Sequence, residues 1–538
     1  MNKVHINQLG YRPHDPKKAV ILQEALQGSL EFKVIRVSDE AVIYSGMAGE
    51  PVTDSASLDT VCTADFSALT EAGEYMVCAG GTRSYPFAIS ENPYKELRAA
   101  VLEMFNYQKC GVDLDCGEWS HPACHNTLAT VYGTSEKKDV TGGWHDAGDY
   151  GRYIVPAAKA IADLLLAHEL SSNKDENLLD IVWFEIEWML KMQDEKTGGV
   201  YHKVSCKQFD ALDEMPHDEK DELVLSPISP TATADFAASM ALASRFYPDK
   251  KDSLLKAALR AWDWCIKNPN APNFENPPDI HTGGYGDDND KDERLWAACE
   301  LFAAVSDTSA GELFHNYIKS EIETNPVYGT LPWFPAGRRL LSGLGWGNMG
   351  TYAVLAYLMH AKEKADNAIT QKMKSELLSD CEKYMERFAK CPYGISLGEH
   401  YPWGSNMLVA NNAMMLIAGS LLATDNNAKK AEYIEAAKEH FHYLLGRNPL
   451  SQSYISGFGS NPMKNPHHRP SVAVGKAVPG MAAGGPCGRF DRDQIVNERC
   501  KDAPPAKRYI DHKESFSTNE ITIYWNSPVY FVMAALGF

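Results

Sequence analysis

At Asn92-Pro93 the hydrophobic pattern of the chain switches from strand-like alternation to helix-like recurrence, and it does not switch back. Upstream, KAVILQ, EFKVIRV, AVIYSG, GEYMVCAG and SYPFAIS alternate, with Gly, Pro and Asp turns about every 8 to 12 residues. This predicts a small β-sandwich over residues 1–90. Downstream, roughly twelve stretches place apolar residues at i, i+3, i+4, among them YKELRAAVLEMFNYQKC, TADFAASMALASRFY and SNMLVANNAMMLIAGSLL. Several are apolar nearly all round, which predicts inner helices of one large, mainly α domain over residues 91–538. Six helical hairpins closed into a ring, with loops crowded at one end, would account for the pattern. The loops are long and rich in Gly, Pro and aromatics, as in TLPWFPAGRRLLSGLGWG, and loops of that length in a compact domain are usually functional.

Charge narrows the partners. The 538 residues carry 52 Lys and Arg against 71 Asp and Glu, a net charge of −19. That argues against nucleic acid or an anionic membrane and leaves a neutral or cationic ligand open. No apolar run of signal-peptide length follows Met1, and no later run reaches transmembrane length, so the expected location is the cytoplasm. In that reducing compartment the 12 scattered cysteines are expected to be free thiols, those grouped with histidines becoming metal candidates. Oligomeric state is not encoded in any recognisable pattern.

Three segments carry chemistry. In GGWHDAGDYGRY, Asp146 and Asp149 lie in a Gly-flanked loop just before a helical stretch. A helix N-terminus favours anions, so both carboxylates are expected to stay ionised and able to orient a water and take its proton. The alternative is an Asx-turn and N-cap pair. In RYIDHKESFSTNEITIYWNSPVYF, Glu520 lies between a polar approach and an aromatic exit, which suits a general acid; a helix-capping glutamate is the alternative. In SYISGFGSNPMKNPHHRP, His467 and Arg469 are stiffened by Pro466 and Pro470 and offer donors for hydroxyls; otherwise they form a basic surface turn.

Together these segments resemble glycoside hydrolase family 9, which contains many cellulases. Ser453, Ile455, Ser456, Gly459, Asn461, Pro466, His467 and Arg469 fit one of its signatures, and Tyr509, Asp511, Phe516, Glu520, Thr522, Asn526 and Ser527 fit the other. NQLGYRP followed by strands is similar to the immunoglobulin-like module that precedes the catalytic domain in one branch of that family. The resemblance implies an (α/α)6 barrel and an inverting mechanism. Asp149 would be the base that deprotonates water, Asp146 would help hold that water, and Glu520 would protonate the leaving oxygen. Acid and base must stand on the order of 6.5–9.5 Å apart, so the close aspartate pair cannot supply both. His467 and Arg469 would grip sugar hydroxyls. Trp333, Trp346, Trp403 and Tyr509 are candidates for stacking on pyranose rings, each with core packing as its alternative.

Cys110, Cys124, His125 and His145 form C-x13-C-H-x19-H, a set suited to tetrahedral zinc, with Cys116 and His121 as nearby substitutes. Family members with the immunoglobulin-like module resemble this in carrying a structural zinc near the base loop. Buried thiols with satisfied histidines are the alternative. Calcium is a further possibility, since Asp288, Asp292 and Glu293 stand where the family often binds it. The aspartate expected after a downstream tryptophan is replaced in GWGN by Gly347 and Asn348, and a solvated acidic loop explains the stretch equally well.

Two rivals fare worse. A zinc hydrolase needs an open coordination position, which a Cys₂His₂ set lacks, and no HExxH occurs. A non-catalytic sugar-binding protein would not be expected to keep Asp146, Asp149 and Glu520 together. As for substrate, a cytoplasmic chain meets short imported β-1,4-linked oligosaccharides, so the expectation is exo action on chitosan-type glucosamine or cello-oligosaccharides, with the amino sugar slightly ahead. Endo-cleavage of β-1,4-glucan polymers is the alternative.

Overall fold

The computed structural model describes residues 2–305, 308–324, 327–328, 338–423, 426–488 and 492–538. The N-terminal strands form two sheets. One runs, in spatial order, Val4–His5, Lys18–Leu22, Thr60–Asp65 and Val52–Thr53. The other runs Gly10–Tyr11, Phe87–Ile89, Gly73–Ala79, Glu31–Arg36 and Val42–Met47, with Thr82–Arg83 pairing beside Gly73–Ala79. Alternate residues point inward, so that Phe32, Val34, Tyr75, Val77 and Phe87 fill one apolar core with Phe66 and Tyr11. This is the sandwich the alternation predicts.

Twelve helices of 11 or more residues follow among the described residues: α1 (Lys95–Tyr107), α2 (Ile154–Leu170), α3 (Leu178–Lys191), α4 (Pro230–Ala243), α5 (Lys251–Lys267), α6 (Lys291–Ala304), α7 (Thr308–Thr324), α8 (Gly350–His360), α9 (Asn367–Phe388), α10 (Ser405–Leu422), α11 (Asn427–Leu444) and α12 (Ile523–Ala535). The chain divides into two compact units, and the division does not follow the change of texture at residue 92. One unit comprises 1–104, 171–173 and 381–538; the other comprises 105–170 and 174–380.

In the second unit the even-numbered helices form an inner row: α2 packs on α4, α4 on α6 and α6 on α8. Helices α3, α5 and α7 pair with α2, α4 and α6 respectively. Burial follows this division. Every residue of α4 is buried, and its Ala, Ser and Thr side chains let neighbours approach closely, whereas α5 buries one stripe. Helix α4 starts where it does because Ser229 caps it, its side chain accepting from the Ala232 amide at 3.2 Å, with Pro230 at the first helical position.

The same unit holds a small sheet absent from the sequence reading, in the order Lys137–Lys138, Ala129–Val131, Val224–Leu225, Lys203–Ser205 and Arg152–Tyr153. Strands of two or three residues are too short to show a period of two. In the first unit, α10 packs against both α11 and α12. On length and composition α10 is long and apolar enough to cross a membrane, which corrects the expectation that no run reaches that length; 83% of it is buried, as in a core helix. The sandwich docks within this unit through NQLGYRP: the Gln8 amide donates to the Ser451 carbonyl at 2.8 Å, and its oxygen accepts from the Asn461 amide at 2.7 Å.

Candidate active site

The aspartate loop is held from every side by backbone and buried side chains. Arg152, fully buried, donates to the carbonyls of Val140 (2.8 Å) and Gly142 (2.7 Å), which ties the end of the loop to its start. Gln108 donates to the carbonyls of His145 and Ala147, both at 2.9 Å. Glu185 of α3 accepts from the Trp144 amide at 2.5 Å. Gly143 sits at φ +80, and a Cβ there would stand 2.6 Å from the Trp188 ring, so only glycine fits.

Within this frame the two aspartates differ. Asp146 is buried, accepts from the Tyr285 hydroxyl, and its Oδ1 has no protein partner. Burial drives its pKa well above the ordinary carboxylate range; the Tyr285 hydroxyl opposes this and the Asp149 charge adds to it. Asp149 is half-buried and accepts from the Gly151 amide (3.0 Å) and the Tyr153 hydroxyl (3.4 Å). The helix N-terminus expected to favour both carboxylates does not adjoin them: strand residues Arg152–Tyr153 intervene before α2, and burial is the largest influence on the Asp146 pKa.

Beside the loop, Cys110, Cys124, His125 and His145 bring one donor atom each to within 4.8 Å of one another, all buried. Sγ of Cys124 lies 3.8 Å from Sγ of Cys110 and 3.8 Å from Nε2 of His145, and Cys110 Sγ lies 3.7 Å from Nδ1 of His125. A regular zinc tetrahedron has edges of about 3.8 Å between sulfurs and about 3.6 Å between sulfur and nitrogen. The remaining nitrogen of His125 meets Glu219 at 2.7 Å, the outer carboxylate that metal-binding imidazoles usually have. His121 is turned to the Pro122 carbonyl, so the substitutes are not needed.

The acidic stretch before α6 behaves differently. Asp288 is exposed and bonds Asn289, while Asp292, Glu293, Asp287 and, from α4, Asp235 are buried. Burial raises the pKa of Asp292 to about 6 and pushes Glu293 and Asp235 well up, their neighbouring acids adding to it. Yet among the described residues only the Cys and His set converges on one point. The Met349 amide, at 2.7 Å, occupies an oxygen of Asp292.

In the first unit the two C-terminal segments are stitched together by Asp511, whose carboxylate accepts from the amides of Lys464 and Asn465 (2.8 Å each) and from Asn519 Nδ2 (2.9 Å). The His467 amide donates to the Asn519 carbonyl at 2.9 Å, which places His467 alongside Glu520 in a parallel bridge. Glu520 is half-buried in extended backbone, two residues before Thr522, the residue that caps α12. His467 donates Nδ1–H to the Lys513 carbonyl at 2.7 Å, and burial lowers its pKa to about 4, so its ring is neutral with Nε2 an acceptor. Arg469 is buried at the start of the turn that follows.

The aromatic candidates separate. Trp403 is 41% exposed and meets Phe516 edge-on at 5.6 Å, and Phe516 in turn lies 6.2 Å from His467. Trp346 packs edge-on to Tyr285 at 5.2 Å. Tyr509 is buried against Tyr454, its hydroxyl donating to Asn519 at 2.6 Å, so it braces the Glu520 segment and is corrected from sugar platform to strut. Trp333 lies outside the described residues. Sequence reasoning missed Tyr285, Gln108, Glu185 and Lys203; of the two glutamates in α3, Glu185 falls on the apolar face, which was the one available signal.

The profile described as Glycosyl hydrolase family 9 matches residues 94–533, and that of the Cellulase N-terminal ig-like domain matches residues 1–84. The chain belongs to glycosyl hydrolase family 9. It is similar to a cellodextrinase of Butyrivibrio fibrisolvens, 34% identical with both chains covered completely. It is similar also to endoglucanase D of Acetivibrio thermocellus, 30% identical over 99% of this chain and 83% of that one. Among solved structures, a thermostable endoglucanase mutant from Alicyclobacillus acidocaldarius superposes with a TM-score of 0.89 at 36% identity, covering 100% of this chain and 99% of that one. The chain is thus a family 9 glycoside hydrolase with an immunoglobulin-like domain ahead of the family 9 region.

Proposed function

We propose that the protein hydrolyses β-1,4-glycosidic bonds in short gluco-oligosaccharides with inversion at the anomeric carbon, releasing sugar from one end. The observation that carries the mechanism is the division within the aspartate pair: a half-exposed carboxylate stands beside a buried one with an oxygen free of protein partners. Asp149 takes a proton from water as that water's oxygen bonds to the anomeric carbon. Asp146, held by Tyr285, orients the water. Glu520 gives its proton to the departing oxygen as the glycosidic bond breaks. Neutral His467 accepts from a sugar hydroxyl, Arg469 donates to one, and Trp403 offers its exposed face to a pyranose ring. Membership of family 9 supports an (α/α)6 ring as the scaffold.

The four donors around His145 fit one structural zinc. Cys110, Cys124, His125 and His145 would hold it with two thiolates and two imidazoles, and it would pin the backbone next to Asp146. Calcium near Asp292 and Glu293 is the second metal reading, supported by the buried neighbours Asp235 and Glu293, whose carboxylate oxygens have no hydrogen-bond partner.

The end-to-end match to a cellodextrinase supports short oligosaccharides and supports glucose over glucosamine. Endo-cleavage of polymer is the second reading, favoured by the endoglucanase names among the relatives and structures. Comparing kcat/KM on cellobiose, cellopentaose, the glucosamine disaccharide and a soluble cellulose derivative decides. The expected order puts the cello-oligosaccharides first. A rapid viscosity drop on the polymer with little short sugar released would overturn exo action, and preference for the glucosamine disaccharide would overturn glucose.

A further inference from the structure

The loop that carries Tyr285 to the aspartate pair is gripped from the chain segment that runs into strand Lys203–Ser205. His202 donates Nε2–H to the Gly284 carbonyl at 2.8 Å. Lys203 donates to the Gly283 carbonyl, to Thr282 Oγ1 at 3.0 Å and to the Thr282 carbonyl at 3.4 Å. Three successive carbonyls are thus tied down just before Tyr285, which sits at φ +48. A non-glycine residue holds that conformation only where its surroundings impose it.

Lys203 is fully buried, and a buried ammonium is costly unless its charge is used or compensated. No carboxylate comes within 4.0 Å of it among the described residues. The carboxylate that acts on it is that of Asp149. Tyr153 lies between them: it pairs directly with Lys203 across the strands, its ring lies 5.4 Å from the ammonium, and its hydroxyl donates to Asp149. Titratable groups that act on Asp149 among the described residues include Asp146 in its own loop, Tyr153 in the next strand, and Lys203 from the strand beyond; Tyr285 acts on Asp146, and Arg152 is turned to the carbonyls of Val140 and Gly142.

We propose that Lys203 is a positioning residue for the general base: its ammonium fixes residues 282–284, and so the Tyr285 hydroxyl against Asp146, while its charge keeps Asp149 ionised. The proposal rests on the reading of Asp149 as base. Burial lowers the Lys203 pKa to about 7, which leaves it charged throughout the acid range in which a carboxylate titrates. A packing role alone would need the length of the side chain but not its charge.

The test uses Lys203→Gln, which loses charge but keeps a donor, Lys203→Met, which loses both, and Lys203→Arg, which keeps the charge. Each is compared with wild type and Asp149→Asn for kcat, KM, melting temperature, zinc content and the acid limb of kcat/KM against pH. Expected for Gln and Met is a rise of the acid limb by about one pH unit, as for a carboxylate losing a nearby cation. Met should lower kcat a further ~10-fold with KM within about twofold, since it also releases the loop. Arg should leave the limb near its wild-type position. An acid limb unmoved in Gln, which keeps a polar end if Met fails to fold, overturns the proposal, and so does Arg behaving like Met. Near-normal turnover by Asp149→Asn would instead overturn the base reading, whatever the Lys203 variants do.

Discussion

Acid should unfold this protein through histidines that it holds neutral, and His440 on α11 is the sharpest case. Its Nε2 accepts from the Ser396 amide at 3.0 Å, and its Nδ1–H donates to the Ala436 carbonyl at 2.7 Å. Protonating Nε2 would set a proton against a backbone N–H in a fully buried place. Burial accordingly lowers its pKa to about 4, with the Ala436 carbonyl and Glu439 pulling upward and Arg447 downward. Because the folded value lies below the unfolded 6.5, the unfolded chain takes up a proton that the folded chain refuses. Stability is therefore intact above pH 6.5, falls as pH drops, and levels off below about 4. A fall from 6.5 to about 4, at 1.36 kcal/mol per pH unit, is worth about 3 kcal/mol. The perturbation is His440→Gln, which costs stability at neutral pH by breaking these bonds but removes the titration. Urea unfolding of both proteins from pH 7.5 to 4 should show the gap between them shrinking by about 3 kcal/mol. Curves that stay parallel would refute the reasoning.

Asp149→Asn and Glu520→Gln should each lower kcat by roughly 10²-fold or more with the melting temperature nearly unchanged, because each loses one proton transfer; near-normal turnover in either would overturn its assigned role. The purified protein should contain about one zinc, and chelation or Cys124→Ser should lower the melting temperature; elemental analysis showing no metal, on protein never exposed to chelator, would remove the zinc. Trp403→Ala should raise KM on cello-oligosaccharides several-fold with a smaller effect on kcat, as loss of a stacking face would; unchanged KM would return Trp403 to the packing residues.

The elements that repeat were legible in the sequence, and the cross-links between them were not. Alternation in GEYMVCAG and apolar recurrence in SNMLVANNAMMLIAGSLL report burial directly, so sandwich and inner helices could be read from them. The spacing of Cys110, Cys124, His125 and His145 named a set that the fold does bring together. The upward shift of Asp146 was not foreseen because it comes from burial that local sequence does not show, against which Tyr285, 139 positions away, only partly works. The strand holding Lys203 is three residues long and leaves no periodic trace. Tyr509 was mistaken for a platform because an aromatic in a signature looks the same whether it faces a sugar or, as here, Tyr454.

The central claim is that water, activated by Asp149, attacks the face of the sugar opposite the oxygen that Glu520 protonates. Proton NMR of the first products from cellopentaose, taken before the anomers interconvert, tests it most directly. The account predicts that the newly freed reducing end appears as the α anomer. A β anomer at early times would mean retention of configuration and would contradict it.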